Sequence, residues 1–248
     1  MSEHAAFSRD EVWSGLLPEF ASTKYVLATG LRLIREGRFD TNKDAILASL
    51  AVGVEKLVKL AHGIMIVEAG GRWPAMGSTR DGWGHAVAKM ERRLRANLLE
   101  RLNDGAFEYD PLLRGMLATI DEDETWAMLV SALEVYATKG RFYRLDRLAG
   151  RVQEEGAPEE IWETAELGLW QNDRALRTLL GEDPDAFNKA LSNVLADTVE
   201  RFIVVICLTG MHGVIGADWG VRFGADLLPE HGLRFKYEAR PSWGLRPA

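Results

Sequence analysis

The stretch Lys43–Glu68, KDAILASLAVGVEKLVKLAHGIMIVE, decides the fold class. Ile46, Leu47, Leu50, Val54, Leu57 and Leu60 recur at helical spacing, so they line one side of a long helix instead of alternating across a strand. Asp40, Thr41 and Asn42 stand just ahead of it as caps. The same period runs through most of the chain. A first helical region covers about Ser8 to Glu36, with a break expected near Pro18. A third covers about His85 to Leu102 and stops at Asp104-Gly105. A fourth runs from about Glu122 to Lys139, and Gly140 ends it. Arg141 to Gly150 reads as a short helical piece. Pro158 opens a fifth helix to about Leu180, and Pro184 a sixth to about Gly216. The tail, Ala217 to Ala248, reads as irregular, either a short hairpin or a wrap over the surface. The expected fold is an all-α helical bundle of about six main helices.

Two marks repeat along the chain. Leu50–Val58 (LAVGVEKLV) reads against Leu195–Ile203 (LADTVERFI), and Gly37-Arg38-Phe39 reads against Gly140-Arg141-Phe142. Chance matches between common helix residues are one reading. The other is a duplication, with two related helical halves packed about a local two-fold axis. The expected organisation is a helical half over 1–110, a second half over 111–216 packed on it, and a tail over 217–248.

The net charge of −7 gives the whole molecule no attraction to a polyanion, so any contact with nucleic acid needs a local basic patch. The single cysteine, Cys207, cannot form an intrachain disulfide and favours a reducing compartment. The start, MSEHAAFSRDEV, lacks the basic residues and apolar run of a signal peptide. The most apolar run, Phe202–Gly216, is shorter than the roughly 20 residues of a membrane span. A cytoplasmic protein without membrane contact is expected. Metal-binding spacings such as C-x-x-C, H-E-x-x-H and E-x-x-H are absent, as are the phosphate loop G-x-x-x-x-G-K-(S/T) and the nucleophile elbow G-x-S-x-G. No metal and no cofactor are therefore expected. Trp126, Trp162 and Trp170 fall on helices and read as core.

Three groups of residues carry possible chemistry. Glu55 and Lys59 sit one turn apart and can form an exposed ion pair. Glu55 and Lys56 can also approach His85 across a helix interface. Arg80 and His85 are the second group. Cleaving RNA without a metal needs a proton carrier active near neutral pH, which histidine supplies, and a planar cation to steady the phosphate, which arginine supplies. His85 also reads as a plain helix-start residue, bonded to a carbonyl or stacked on Trp73 or Trp83. The third group is basic: Lys89, Arg92, Arg93, Arg95 and Arg101 on one helix, and Arg141, Arg144, Arg147 and Arg151 at intervals of three or four. Lys89, Arg92 and Arg93 share a face one turn from His85. Either patch can hold phosphates, with Phe142 and Tyr143 placed to stack on bases, or can be a solvated surface.

Arg80-Asp81-Gly82-Trp83-Gly84-His85 fits the pattern of an arginine, four to six residues, then a histidine. With the Glu55-Lys56-Leu57-Val58-Lys59 stretch before it, this resembles the HEPN superfamily of helical ribonucleases and nucleotide-binding proteins, in its abortive-infection type. The resemblance covers about residues 8–102, with a fainter echo in the second half. It implies a small helical bundle that forms a homodimer and brings two such pairs together. The RNA 2′-hydroxyl then attacks the neighbouring phosphate without a metal. On this reading His85 is the general acid/base, Arg80 the phosphate clamp, Glu55 and Lys59 support them, and Lys89, Arg92, Arg93, Arg141, Arg144 and Arg147 hold RNA, in bacterial defence or stress response. The alternatives are a non-catalytic helical dimerisation or interaction protein, or a small-ligand module lined by tryptophans.

Overall fold

The computed structural model describes residues 9–36, 39–74, 84–105, 107–150 and 156–229, and all the regular structure among them is helical. The helices are α1 (Arg9–Arg35), α2 (Phe39–Glu68), α3 (Val87–Asp104), α4 (Asp110–Asp121), α5 (Glu124–Thr138), α6 (Tyr143–Leu148), α7 (Pro158–Asn172), α8 (Arg174–Glu182), α9 (Pro184–Met211) and α10 (Trp219–Leu227), with a 3-10 turn at Gly140–Phe142.

Two long helices organise the bundle. α2 packs against α1, α3 and α5, and α9 packs against α1, α4, α8 and α10. Leu50, Val54, Leu57, Val58, Ala61 and Ile64 of α2 are sealed from solvent. So are Leu195, Val199, Phe202, Ile203 and Ile206 of α9. The repeated segments Leu50–Val58 and Leu195–Ile203 thus occupy the two central helices. Trp126 of α5 stacks on Phe202 with ring centroids 4.3 Å apart, joining α5 to α9. Burying one such aromatic contributes about 1.5–3 kcal/mol.

The count exceeds the expected six, and each excess has a local cause. α4 starts at Asp110-Pro111, where proline costs no intrahelical bond. α7 and α8 are separate because Asp173 leaves the helix and caps the next one, accepting from the N–H of Ala175 at 2.7 Å and Leu176 at 3.2 Å. α10 falls in the supposedly irregular tail, and its two glycines are packing devices. A Cβ at Gly224 would strike the carbonyl of Cys207 and lie 2.5 Å from the Met211 nitrogen. The backbones of α9 and α10 therefore cross closely. Pro18 sits inside α1 without ending it. It is exposed, while Leu16 and Phe20 on either side are buried and hold the helix through it. α2 begins at Phe39, ahead of the expected Asp40–Asn42 cap.

Glu68, at the end of α2, ties α10 down. Its carboxylate accepts from the backbone N–H of Ala217 at 2.9 Å and Trp219 at 2.6 Å, and more distantly from Asp218 and Gly220. It supplies the anion that a helix start favours. Arg101 of α3 completes the junction, donating to the carbonyls of Met65, Val214 and Ile215.

Candidate functional site

Glu55 and Lys59 lie one turn apart on α2, with Lys59 Nζ 2.6 Å from Glu55 Oε1. Both side chains are largely covered, at 15% and 13% exposure, so the expected exposed pair is in fact sequestered. The same carboxylate accepts from His85, whose Nδ1 lies 3.1 Å from Oε2 and 3.2 Å from Oε1. His85 itself is 67% exposed. An acceptor at Nδ1 places the ring proton there and leaves Nε2 for an outside group. A carboxylate behind a histidine is how acid/base sites orient their imidazole.

His85 stands two residues ahead of α3. Its carbonyl accepts from the Val87 N–H at 2.9 Å, and it leaves the helix start to another element. Glu134 of α5 covers that start, accepting from Ala88 N–H at 2.8 Å and Lys89 N–H at 3.3 Å. Trp73 packs over Gly63 of α2. Trp83 lies outside the described residues.

Beside His85 is an open hollow of about 260 Å³, walled by Ala51, Glu55 and Lys56 of α2, Ala137 of α5, and Arg141. Arg141 comes from the turn after α5 and lies 6.0 Å above the centre of the Tyr136 ring. The Tyr136 hydroxyl donates to Asp44 at 3.0 Å. Burial and that bond push its pKa up to about 12, so it remains a protonated donor. Lys56 is tied to Glu19 at 2.7 Å and Ser22 at 2.9 Å.

The structure brings Glu55, Lys59, His85 and Arg141 to one place. Arg80, with residues 75–83, lies outside the described residues. Lys89, Arg92 and Arg93 are exposed on the outer face of α3. Arg144 and Arg147 are exposed on α6, and Arg151 lies outside the described residues. Two arginines leave the expected basic surface. Arg95 is buried, pairing with Glu91 at 2.5 Å and with Asp121. Arg101 is spent on backbone carbonyls at the α2–α10 junction. Trp126 and Trp162 are sealed in the core, and no tryptophan lines the hollow beside His85.

The presence of Arg141 on the wall of the hollow beside His85 is what sequence reasoning missed. The Gly-Arg-Phe echo marked Arg141, but periodicity carries no information on which helix end it would face.

Among the described residues no group of three His, Cys, Asp or Glu is placed to hold a metal ion, and no helix is long and apolar enough to cross a membrane. Compared with family models, curated proteins and solved structures, the chain matches none.

Proposed function

We propose that this chain is a HEPN-like, metal-independent endoribonuclease acting as a homodimer in bacterial defence or stress response. The supporting observation is the bond from His85 Nδ1 to the covered Glu55 carboxylate, with His85 exposed at the rim of an open hollow. His85 Nε2 takes the proton of a ribose 2′-hydroxyl. The 2′-oxygen bonds to the adjacent phosphorus while the bond to the 5′-oxygen breaks, and that oxygen leaves with a proton from water. Glu55 fixes the ring and balances its positive charge. Arg80 grips the phosphate oxygens through its planar fork.

The test is incubation of purified protein with a mixed RNA pool in EDTA, beside His85→Ala and Arg80→Ala. Cleavage by the parent, absent in both folded variants, is the expected result. A parent that cleaves nothing, or a His85→Ala variant as active as the parent, refutes it.

A second reading rests on a separate observation. Phe142, Leu145 and Leu148 recur every third residue and are all exposed, and α6 buries none of its residues. Exposed apolar stripes mark interaction surfaces. An intact oligomer without nuclease activity, dissociated by Leu145→Asp and Leu148→Asp, would favour a non-catalytic interaction protein.

A further inference from the structure

The hollow beside His85 has a neighbour of about 330 Å³, and Arg141 belongs to the wall of both. The second is lined by Lys43 and Asp44 of α2, the Gly140–Leu145 turn, and Glu159 of α7. We infer that the two hollows form one groove for single-stranded polynucleotide, with Arg141 holding a phosphate between them and the second hollow taking the adjoining nucleoside. The inference rests on the nuclease reading for the chemistry at His85.

Three features carry it. First, the local chain sets Arg141 at a corner. A Cβ at Gly140 would lie 2.9 Å from the Val135 carbonyl and 2.8 Å from the Pro158 ring, so the chain turns tightly there and presents the next residue outward. The Tyr136 ring supports the guanidinium from below. Second, the lining of the second hollow is mixed in sign. Arg144 stands with Arg141, while Asp44 and Glu159 face the same space. Lys43 is engaged by Glu163 at 2.5 Å. Two carboxylates repel a bare phosphate. A nucleoside suits them, because the amino and ring N–H groups on its base edge donate hydrogen bonds. Third, Phe142 is exposed at this rim and offers a face on which a base can stack. The hollow is within the range of small-ligand sites, about 300–1,000 Å³.

The test uses a labelled 2′-O-methyl hexanucleotide, which lacks the attacking hydroxyl. Its binding is followed by fluorescence anisotropy in EDTA across a salt series. The proteins are the parent, Arg141→Ala, Arg141→Lys and Glu159→Gln, each checked for fold by circular dichroism. Arg141→Ala should weaken binding at least tenfold and lower the slope of log K against log salt by about 0.7, the value for one phosphate contact on a single strand. Arg141→Lys should keep the slope and lose part of the affinity. Glu159→Gln, nearly isosteric, should change which base is preferred. A parent that binds no oligonucleotide, or an Arg141→Ala variant with unchanged affinity and slope, overturns the groove. Cleavage of unmodified RNA is scored in parallel and separates the two ideas. Cleavage with Arg141-independent binding sinks the groove and spares His85. Arg141-dependent binding without cleavage sinks the nuclease and spares the groove.

Discussion

Glu68→Ala should cost about 3 kcal/mol of stability, concentrated in α10. The four N–H groups facing this carboxylate are not equivalent. Ala217 and Asp218 are exposed, so water replaces the lost oxygen at little cost. Trp219 and Gly220 are buried, and their N–H groups lose an acceptor that water reaches poorly. An unsatisfied buried donor costs about 1–3 kcal/mol, and the low end applies at a helix start near the surface. Loss of the negative charge beside the helix start adds about 0.3–1 kcal/mol. Glu68→Gln keeps an acceptor and loses only the charge, so about 1 kcal/mol is expected. The assay is urea unfolding, read at unchanged m so that the midpoint shift reports stability. Hydrogen exchange over residues 207–227 accompanies it. In Glu68→Ala the α10 amides should exchange well before those of α2 and α5. A loss below about 0.5 kcal/mol, or protection lowered evenly across the bundle, would refute the assignment of Glu68 as the anchor of α10.

The remaining predictions concern the site and the core. Glu55→Gln should lower the RNA-cleavage kcat at least tenfold with little change in KM, because the histidine loses its orienting anion, and Glu55→Asp should restore part of the rate. Gly224→Ala should destabilise by about 3 kcal/mol in thermal or urea unfolding, since the new methyl meets backbone that cannot move aside cheaply. His62 is buried with Nε2–H donating to the Met90 carbonyl at 3.2 Å, and burial lowers its pKa. The unfolded chain then binds this proton more readily than the folded one, so the contribution is complete above about pH 6.5 and declines as pH falls through that value. Melting temperatures measured between about pH 5 and 8 should show this decline in the parent and a flatter profile in His62→Gln.

The long helices were legible because their buried faces repeat at helical spacing over many turns, as Leu50, Val54 and Leu57 do. Short elements gave weaker signals. Asp173 splits α7 from α8 with one carboxylate and no proline or glycine at the break. α10 carries Gly220 and Gly224, which read as breakers in isolation and prove to be points of close packing, Gly224 against α9 and Gly220 against Ile215. The Glu55–His85 approach could be anticipated because a charged residue on a helix otherwise rich in apolar residues needs a partner. The location of Arg141 could not, since it depends on how the end of α5 lies against α2. Residue type also misled at Arg95 and Arg101. Spacing places an arginine on a face, but burial decides whether that face is wet.

α5 reaches the hollow beside His85 by two routes. Its Glu134 carboxylate accepts from the Ala88 and Lys89 N–H groups at the start of α3, just after His85, and the turn that follows α5 carries Arg141. Glu55 belongs to α2 instead. A small slide of α5 along α2 would therefore shift Arg141 and the start of α3 relative to Glu55, stretching or tightening the bond to His85. A load on α5 would thus be felt at the imidazole, two helices away.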